Sequence, residues 1–287
     1  MTDFTTPVAN GTESTSGAQA ISGEDPFGAL NQEEQAENQY NYDLHEFNKL
    51  AKENPGEALM YAAMDLLGSL INYQGAMMNI QASLMDTVSL LNSNLNNINS
   101  DINNIFQDFE SKSSDSKIQG DIQSFLNDSY QYYVNLDFYF KSGGNLEENG
   151  TSVDAPFKND TFYESIKGDF KTFQVTSGNT TESLFKAFDN VNSTNWDDVG
   201  GSLETMFKHA YKGASGSSSG SDSSMQSIED VVTNAETQQN EINSTASTNL
   251  SADQQNINSY EGIMNASLTA FSQLFQTINN QLSQASS

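Results

Sequence analysis

The chain has 287 residues, with 38 acidic side chains against 11 basic ones and a net charge of -27. All of the basic residues are lysine. Nucleic-acid binding needs clustered Lys and Arg to displace the counterions of phosphates, so that class is excluded, and an anionic membrane surface repels such a chain. Cysteine is absent, which removes disulfides, thiol catalysis, thiolate zinc sites and iron–sulfur clusters.

Residues 1–40 are rich in Ser, Thr, Gly, Asn, Gln and Glu and poor in aliphatics, which predicts a disordered N-terminal segment. Its first 28 residues carry neither a basic region nor an apolar core, so no cleaved secretory signal is expected there. Within 41–53 a short amphipathic helix is expected, using Leu44, Phe47 and Leu50.

The first long helical arm, 41–110, has its start signal at Asn54-Pro55-Gly56-Glu57. Asn54 suits the cap, Pro55 the first helical position, and Glu57 can reach back to the cap. From Met60 to Phe109 the sequence then holds a nearly unbroken apolar repeat in steps of three and four. Its members include Leu67, Leu70, Leu84, Leu91, Ile98 and Ile105, and only Gln74 and Gln81 interrupt it. A period of 3.5 residues suits helices that supercoil about a partner. About 50 residues at 1.5 Å each make a rod of roughly 75 Å. A single stripe of that length cannot bury itself. Around Leu59–Leu84 apolar residues fall on several faces, predicting more than one neighbour. From Val88 onward the seam is narrow, predicting a single partner. No run of 18 apolar residues exists, since Ala58–Ile71 is cut by Asp65 and Ser69, so no membrane span is expected.

The middle domain, 111–212, holds most of the aromatic residues and the one tryptophan, Trp196. Segments such as Ile122–Phe140, Phe162–Phe173, Ser183–Phe188 and Leu203–Tyr211 have helical spacing and are parted by Gly- and Asn-containing loops. Short strands near Phe173–Val175 remain an alternative. A Ser/Gly linker follows at 213–226, and a second long arm occupies 227–287. The arm's apolar row passes through Ile228, Val232, Ala235, Ile242 and Ala246, then continues through Met264, Leu268, Phe271, Phe275 and Ile278. Two arms of similar length flanking a folded insert predict an all-α protein. The first and last long helices pair as a coiled-coil hairpin, with the aromatic middle domain at one end.

Catalytic chemistry is hard to find. His45 and His209 are the only histidines, and His209 reads as a domain-surface residue beside Phe207 and Tyr211. Gly216-Ser217-Ser218-Ser219-Gly220 matches G-x-S-x-G only formally, inside a Ser/Gly tract without the strand and helix the motif requires. Acidic pairs such as Asp197-Asp198 and Glu147-Glu148 lack the spacing of a calcium loop. The chain is expected to be no enzyme and to use no cofactor or metal.

The two arms resemble the EspA/SseB-like filament proteins of type III secretion systems. The likeness rests on Ala58–Leu91 (ALMYAAMDLLGSLINYQGAMMNIQASLMDTVSLL) and Asn249–Leu282 (NLSADQQNINSYEGIMNASLTAFSQLFQTINNQL). It is one of pattern and covers under half of the chain. The resemblance implies export without a cleaved signal to the bacterial surface or medium and a dedicated secretion chaperone. It also implies self-assembly into an extracellular filament or needle-tip translocator. The middle domain is larger and more aromatic than that family's, which supports the alternative of a secreted effector or adaptor that binds a host protein. The residues expected to carry assembly are Leu67, Leu70, Leu84, Leu91, Ile98, Ile105, Met264, Leu268, Phe271, Phe275 and Ile278.

Overall fold

The computed structural model describes residues 4–9, 25–141, 146–148, 151–153, 155–215 and 222–285. The fold is all-α, with long N-terminal and C-terminal helices. The chain divides into two compact units. The first takes residues 1–22 and 86–243, and the second takes 23–85 and 244–287.

The second unit begins with α1 (Pro26–Glu53), which starts well before residue 41. Composition hid this start, but the local signals are present. Asp25 Oδ1 accepts from the Phe27 amide, and Pro26 stands in the first turn, where its missing N–H costs nothing. Asn54 closes α1 through its amide, which donates to the Leu50 carbonyl at 2.7 Å. The same residue opens α2 (Pro55–Tyr61), its Oδ1 accepting from the Glu57 amide and its Nδ2 donating to Glu57 Oε2. A five-residue π-helical turn, Ala62–Leu66, leads into α3 (Leu67–Ser111), whose first part, to Met85, belongs to this unit.

Here α1 runs antiparallel to the α2–α3 segment. Tyr61 donates to Asp43 Oδ1 at 2.7 Å, Tyr40 stacks on Tyr73, and Asn79 Nδ2 donates to Gln32 Oε1 at 3.2 Å. The fully buried positions of α3 in this stretch, Ser69, Ala76 and Ser83, are small and recur every seven residues. Small side chains in a heptad row let neighbouring helices approach closely, while Leu67, Leu70 and Leu84 flank the row half-buried. The last helix, α8 (Asp222–Ala285), enters this unit at Ser244, and its Asn256 Nδ2 donates to Gln74 Oε1 at 3.5 Å. One of the two seam glutamines is thus matched by a polar partner. Gln74 precedes the exit of α3 by about as many residues as Asn256 follows the entry of α8, so the two helices run antiparallel.

In the first unit α3 continues from Asp86. Val88, Leu91, Leu95, Ile98, Ile102 and Ile105 are wholly buried. The expectation of a single partner is corrected here, because α3 has at least two neighbours. Asn94 meets Asn135 of α4 (Asp115–Phe140), while Phe106 and Phe109 meet Phe207 and Tyr211 of α7 (Trp196–Ser215). The cause is a second buried row beside the apolar one: Thr87, Asn94, Asp101 and Asp108, polar and spaced by seven. A narrow apolar stripe therefore understated the width of the face.

The remaining elements close over α4. A hairpin, β1 (Leu146–Glu148) with β2 (Thr151–Val153), precedes α5 (Asp160–Asp169) and a 3-10 turn at Phe170–Thr172. The strand alternative near Phe173 is realised slightly downstream as β3 (Gln174–Ser177) and β4 (Thr180–Ser183), an antiparallel pair. Their two-residue turn, Gly178-Asn179, needs a positive φ, and Gly178 supplies it at 60°. The short α6 (Leu184–Asp189) and α7 follow. Aromatic rings fill the core: Phe125 contacts both Phe173 and Phe207, and Phe170 stacks on Phe185 with centroids 4.3 Å apart. The start of α8 is tied in by Gln239 Nε2, which donates to the buried Tyr132 hydroxyl at 2.6 Å. Gly216–Gly220, Gly143-Gly144 and Asn149-Gly150 lie outside the described residues, as do residues 10–24 of the N-terminal segment.

Candidate functional site

The expected assembly residues divide by unit. In the first, Leu91, Ile98 and Ile105 are spent on internal packing and present no surface. In the second unit, α8 shows half-buried positions at Leu250, Asp253, Ile257, Tyr260, Met264, Ser267 and Phe271, in alternating steps of three and four. That is the seam by which α8 packs on its own unit, and it takes up Met264 and Phe271. Leu268 and Phe275 fall beside it and are exposed, while Leu274 and Ile278 are the next two positions of the same steps and are exposed too, so the packed part of the seam ends at Phe271.

Other large apolar residues of the second unit are exposed as well. Exposure reaches 53% at Ile263, 55% at Leu274 and 51% at Phe275, while on the opposing segment Leu59 is 61% and Met64 57% exposed. From the Gln74–Asn256 contact, antiparallel helices at equal rise bring Phe275 level with the start of α2. Leu59, Met60, Met64, Leu274, Phe275 and Ile278 therefore share one end of the second unit. Scattered single apolar residues on a surface mean little, whereas several large ones at one end of a unit make that end a candidate contact surface. Met60 and Met64 add side chains that adapt to differently shaped partners.

One charged group anchors the frame of this unit. Asp43 is almost fully buried on α1. Burial works against its charge, yet hydrogen bonds from Tyr61, Gln39 and Ser69 outweigh that and hold its carboxyl below the usual range. Its partner pays the reciprocal effect: burial and the Asp43 carboxylate push the Tyr61 phenol up.

In the first unit the polar row of α3 faces a matching row on α4. Asn94 meets Asn135, Asp101 meets Asp128, and Asp108 meets Asp121 and Lys117, again in steps of seven on both helices. Burial, and then the charge of Asp128, push Asp101 up to about 7. Asp128 and Asp121 are also raised, chiefly by burial. Asp108 is lowered by its hydrogen bond from Lys117. The apolar-repeat reading missed this ladder because none of its rungs is apolar, although the shared spacing of seven was present in both segments.

Candidate chemistry elsewhere is sparse. An open groove of about 600 Å³ is lined by Asp197, Asp198, Ser202, Thr205 and His209 among others. Asp198 Oδ2 accepts from the Gly178 amide and from Asn195 Nδ2, and the Ser202 hydroxyl donates to the Asp198 carbonyl, so these groups serve turn and helix geometry. His209 is exposed. Among the described residues no group of three or more His, Cys, Asp or Glu could hold a metal ion, and no helix is long and apolar enough to cross a membrane. No protein-family model, no curated protein and no solved structure matches the chain.

Proposed function

We propose that this chain is a non-enzymatic, self-assembling structural protein. In this reading it is exported through a type III secretion apparatus as a filament or needle-tip component. The observation that carries the reading is that Leu59 and Met64, and Leu274, Phe275 and Ile278 beyond the packed part of the α8 seam, stay exposed in the second unit. Burying a large apolar side chain in a contact contributes on the order of 1.5–3 kcal/mol, so several such residues together offset much of the roughly 4–15 kcal/mol that association costs. The net charge of -27 opposes random aggregation and restricts association to places where apolar contact outweighs repulsion. The same surface suits a chaperone that keeps subunits apart before export, and the pattern of the two arms supports the secretion assignment.

Electron microscopy and light scattering at rising concentration test the assembly reading. The unaltered chain should form discrete oligomers or fibres, and Phe275→Asp with Ile278→Asp should leave a folded monomer. Equal particle size for both proteins would discard it. Export is tested separately, by appearance of the chain in the medium of cells with an active type III apparatus and its retention when that apparatus is inactivated.

A further inference from the structure

Residues 4–9 lie on the first unit as an extended strap, and their contacts have the form of peptide recognition. Gln123 of α4 reads Thr5 with both ends of its amide, Oε1 accepting from the Thr5 N–H at 2.9 Å and Nε2 donating to the Thr5 carbonyl at 3.2 Å. One turn on, Asn127 Oδ1 accepts from the Val8 amide at 3.3 Å and is itself held by Gln123 Nε2 at 3.1 Å. At the other end Asp197 of α7 accepts from the Phe4 amide at 2.6 Å. Three backbone N–H groups of a five-residue stretch are thus taken by side chains, and Pro7 has none to offer.

Two side chains of the strap point inward. Pro7 is buried, and the Phe4 ring lies directly over Gly200, so close that a Cβ there would collide with the ring. The spacing of three between Phe4 and Pro7 is that of one face of a polyproline II helix, and the proline restrains the residue before it to extended conformations. Val8 is exposed, so its side chain is not selected, although its amide is. The elements are those of a groove that reads backbone at fixed points and side chains at every third position.

We propose that this groove between α4 and α7 is a binding site for an extended Phe-x-x-Pro segment. Residues 4–8 occupy it in cis, and the same segment of a second copy takes it when they leave. Gly200 makes room for the phenyl ring, Pro7 fills the second pocket, and Gln123, Asn127 and Asp197 fix register. The cis segment belongs to the same chain as its groove, so it competes as an intramolecular ligand at a higher effective concentration than a free segment. A competing segment therefore binds only where the tethered one is weakened or displaced. The site is independent of the apolar surface of the second unit.

The test uses the full chain with Phe4→Asp and Pro7→Asp, which disables the tethered ligand while leaving both units intact by circular dichroism. A labelled peptide of residues 3–10 (DFTTPVAN) is titrated by fluorescence anisotropy. Saturable binding is expected to this variant, at least tenfold weaker to the unaltered chain, and at least tenfold weaker again when Gln123→Ala is added to the variant. A scrambled peptide of the same composition should not bind. Absence of saturable binding to the disabled chain, or unchanged affinity on adding Gln123→Ala, overturns the proposal. Gly200→Leu should abolish binding too. In the unaltered chain, hydrogen exchange over residues 4–8 should be slow and should become fast with Gln123→Ala.

Discussion

Asn135 donates through Nδ2 to Asn94 Oδ1 at 2.7 Å, with both residues buried at the contact of α3 and α4. An amide pair in that setting contributes little net energy but penalises every misaligned pairing of the two helices, because a slipped register leaves buried amides without partners. Asn135→Ala should therefore destabilise the first unit by roughly 1–3 kcal/mol in urea denaturation. Replacing both residues with leucine should recover much of that loss, while hydrogen exchange should report a less uniquely ordered α3–α4 contact.

The Asp101–Asp128 rung carries the pH prediction. A carboxyl raised to about 7 in the folded chain binds a proton that the unfolded chain, with its ordinary value of 3.8, has released. Its contribution to stability is therefore gained as pH falls from about 7 towards 4 and lost as pH rises through 7. Chemical denaturation should show a more stable chain at pH 5 than at pH 8. Asp101→Asn should raise stability at pH 8 and flatten the profile between those values. A variant profile as steep as the original would place the dependence elsewhere.

Asp43 acts in the opposite sense and in a different window. Its carboxyl is held below the usual range, so its contribution is present above about pH 4 and disappears as pH falls below that. Tyr61→Phe removes one donor and leaves the buried carboxylate less well satisfied. The expected cost is on the order of 1–2 kcal/mol at pH 7, read as a lower denaturation midpoint and shrinking under acid.

Gly178 offers a local test. Its φ of 60° lies where a side chain is strained, although nothing within 4 Å would obstruct a Cβ. Gly178→Ala should cost about 1 kcal/mol, and Gly178→Asn less, because asparagine tolerates the left-handed region. Thermal unfolding monitored through Trp196 fluorescence would rank them.

Much of the fold was legible because it follows from periodicity. The buried run from Val88 to Ile105, the cap at Asn54 and the helical segments of the middle domain all follow from spacing and capping chemistry. What escaped notice was polar or small. Thr87, Asn94, Asp101 and Asp108 form a buried row that an apolar count passes over, and Ser69, Ala76 and Ser83 are buried because they are small. The start of α1 was masked by its Gln- and Glu-rich composition. The strap at Phe4–Pro7 depends on contacts more than a hundred residues away, which no local pattern records. At the candidate surface the apolar rows were visible in the sequence. Which members face inward was not, because Phe271 and Phe275 lie one turn apart and only the packed partner distinguishes them.

The row of Ser69, Ala76 and Ser83 restricts how such a sequence can change in length. One residue inserted between any two of them would swing the following part of α3 by about 100° and bring bulky flanks to the face where small side chains are now buried. A gain or loss of seven residues keeps the row aligned. Kindred proteins should therefore differ in this stretch by whole heptads, and a sibling with any other indel must have rebuilt the neighbouring helix.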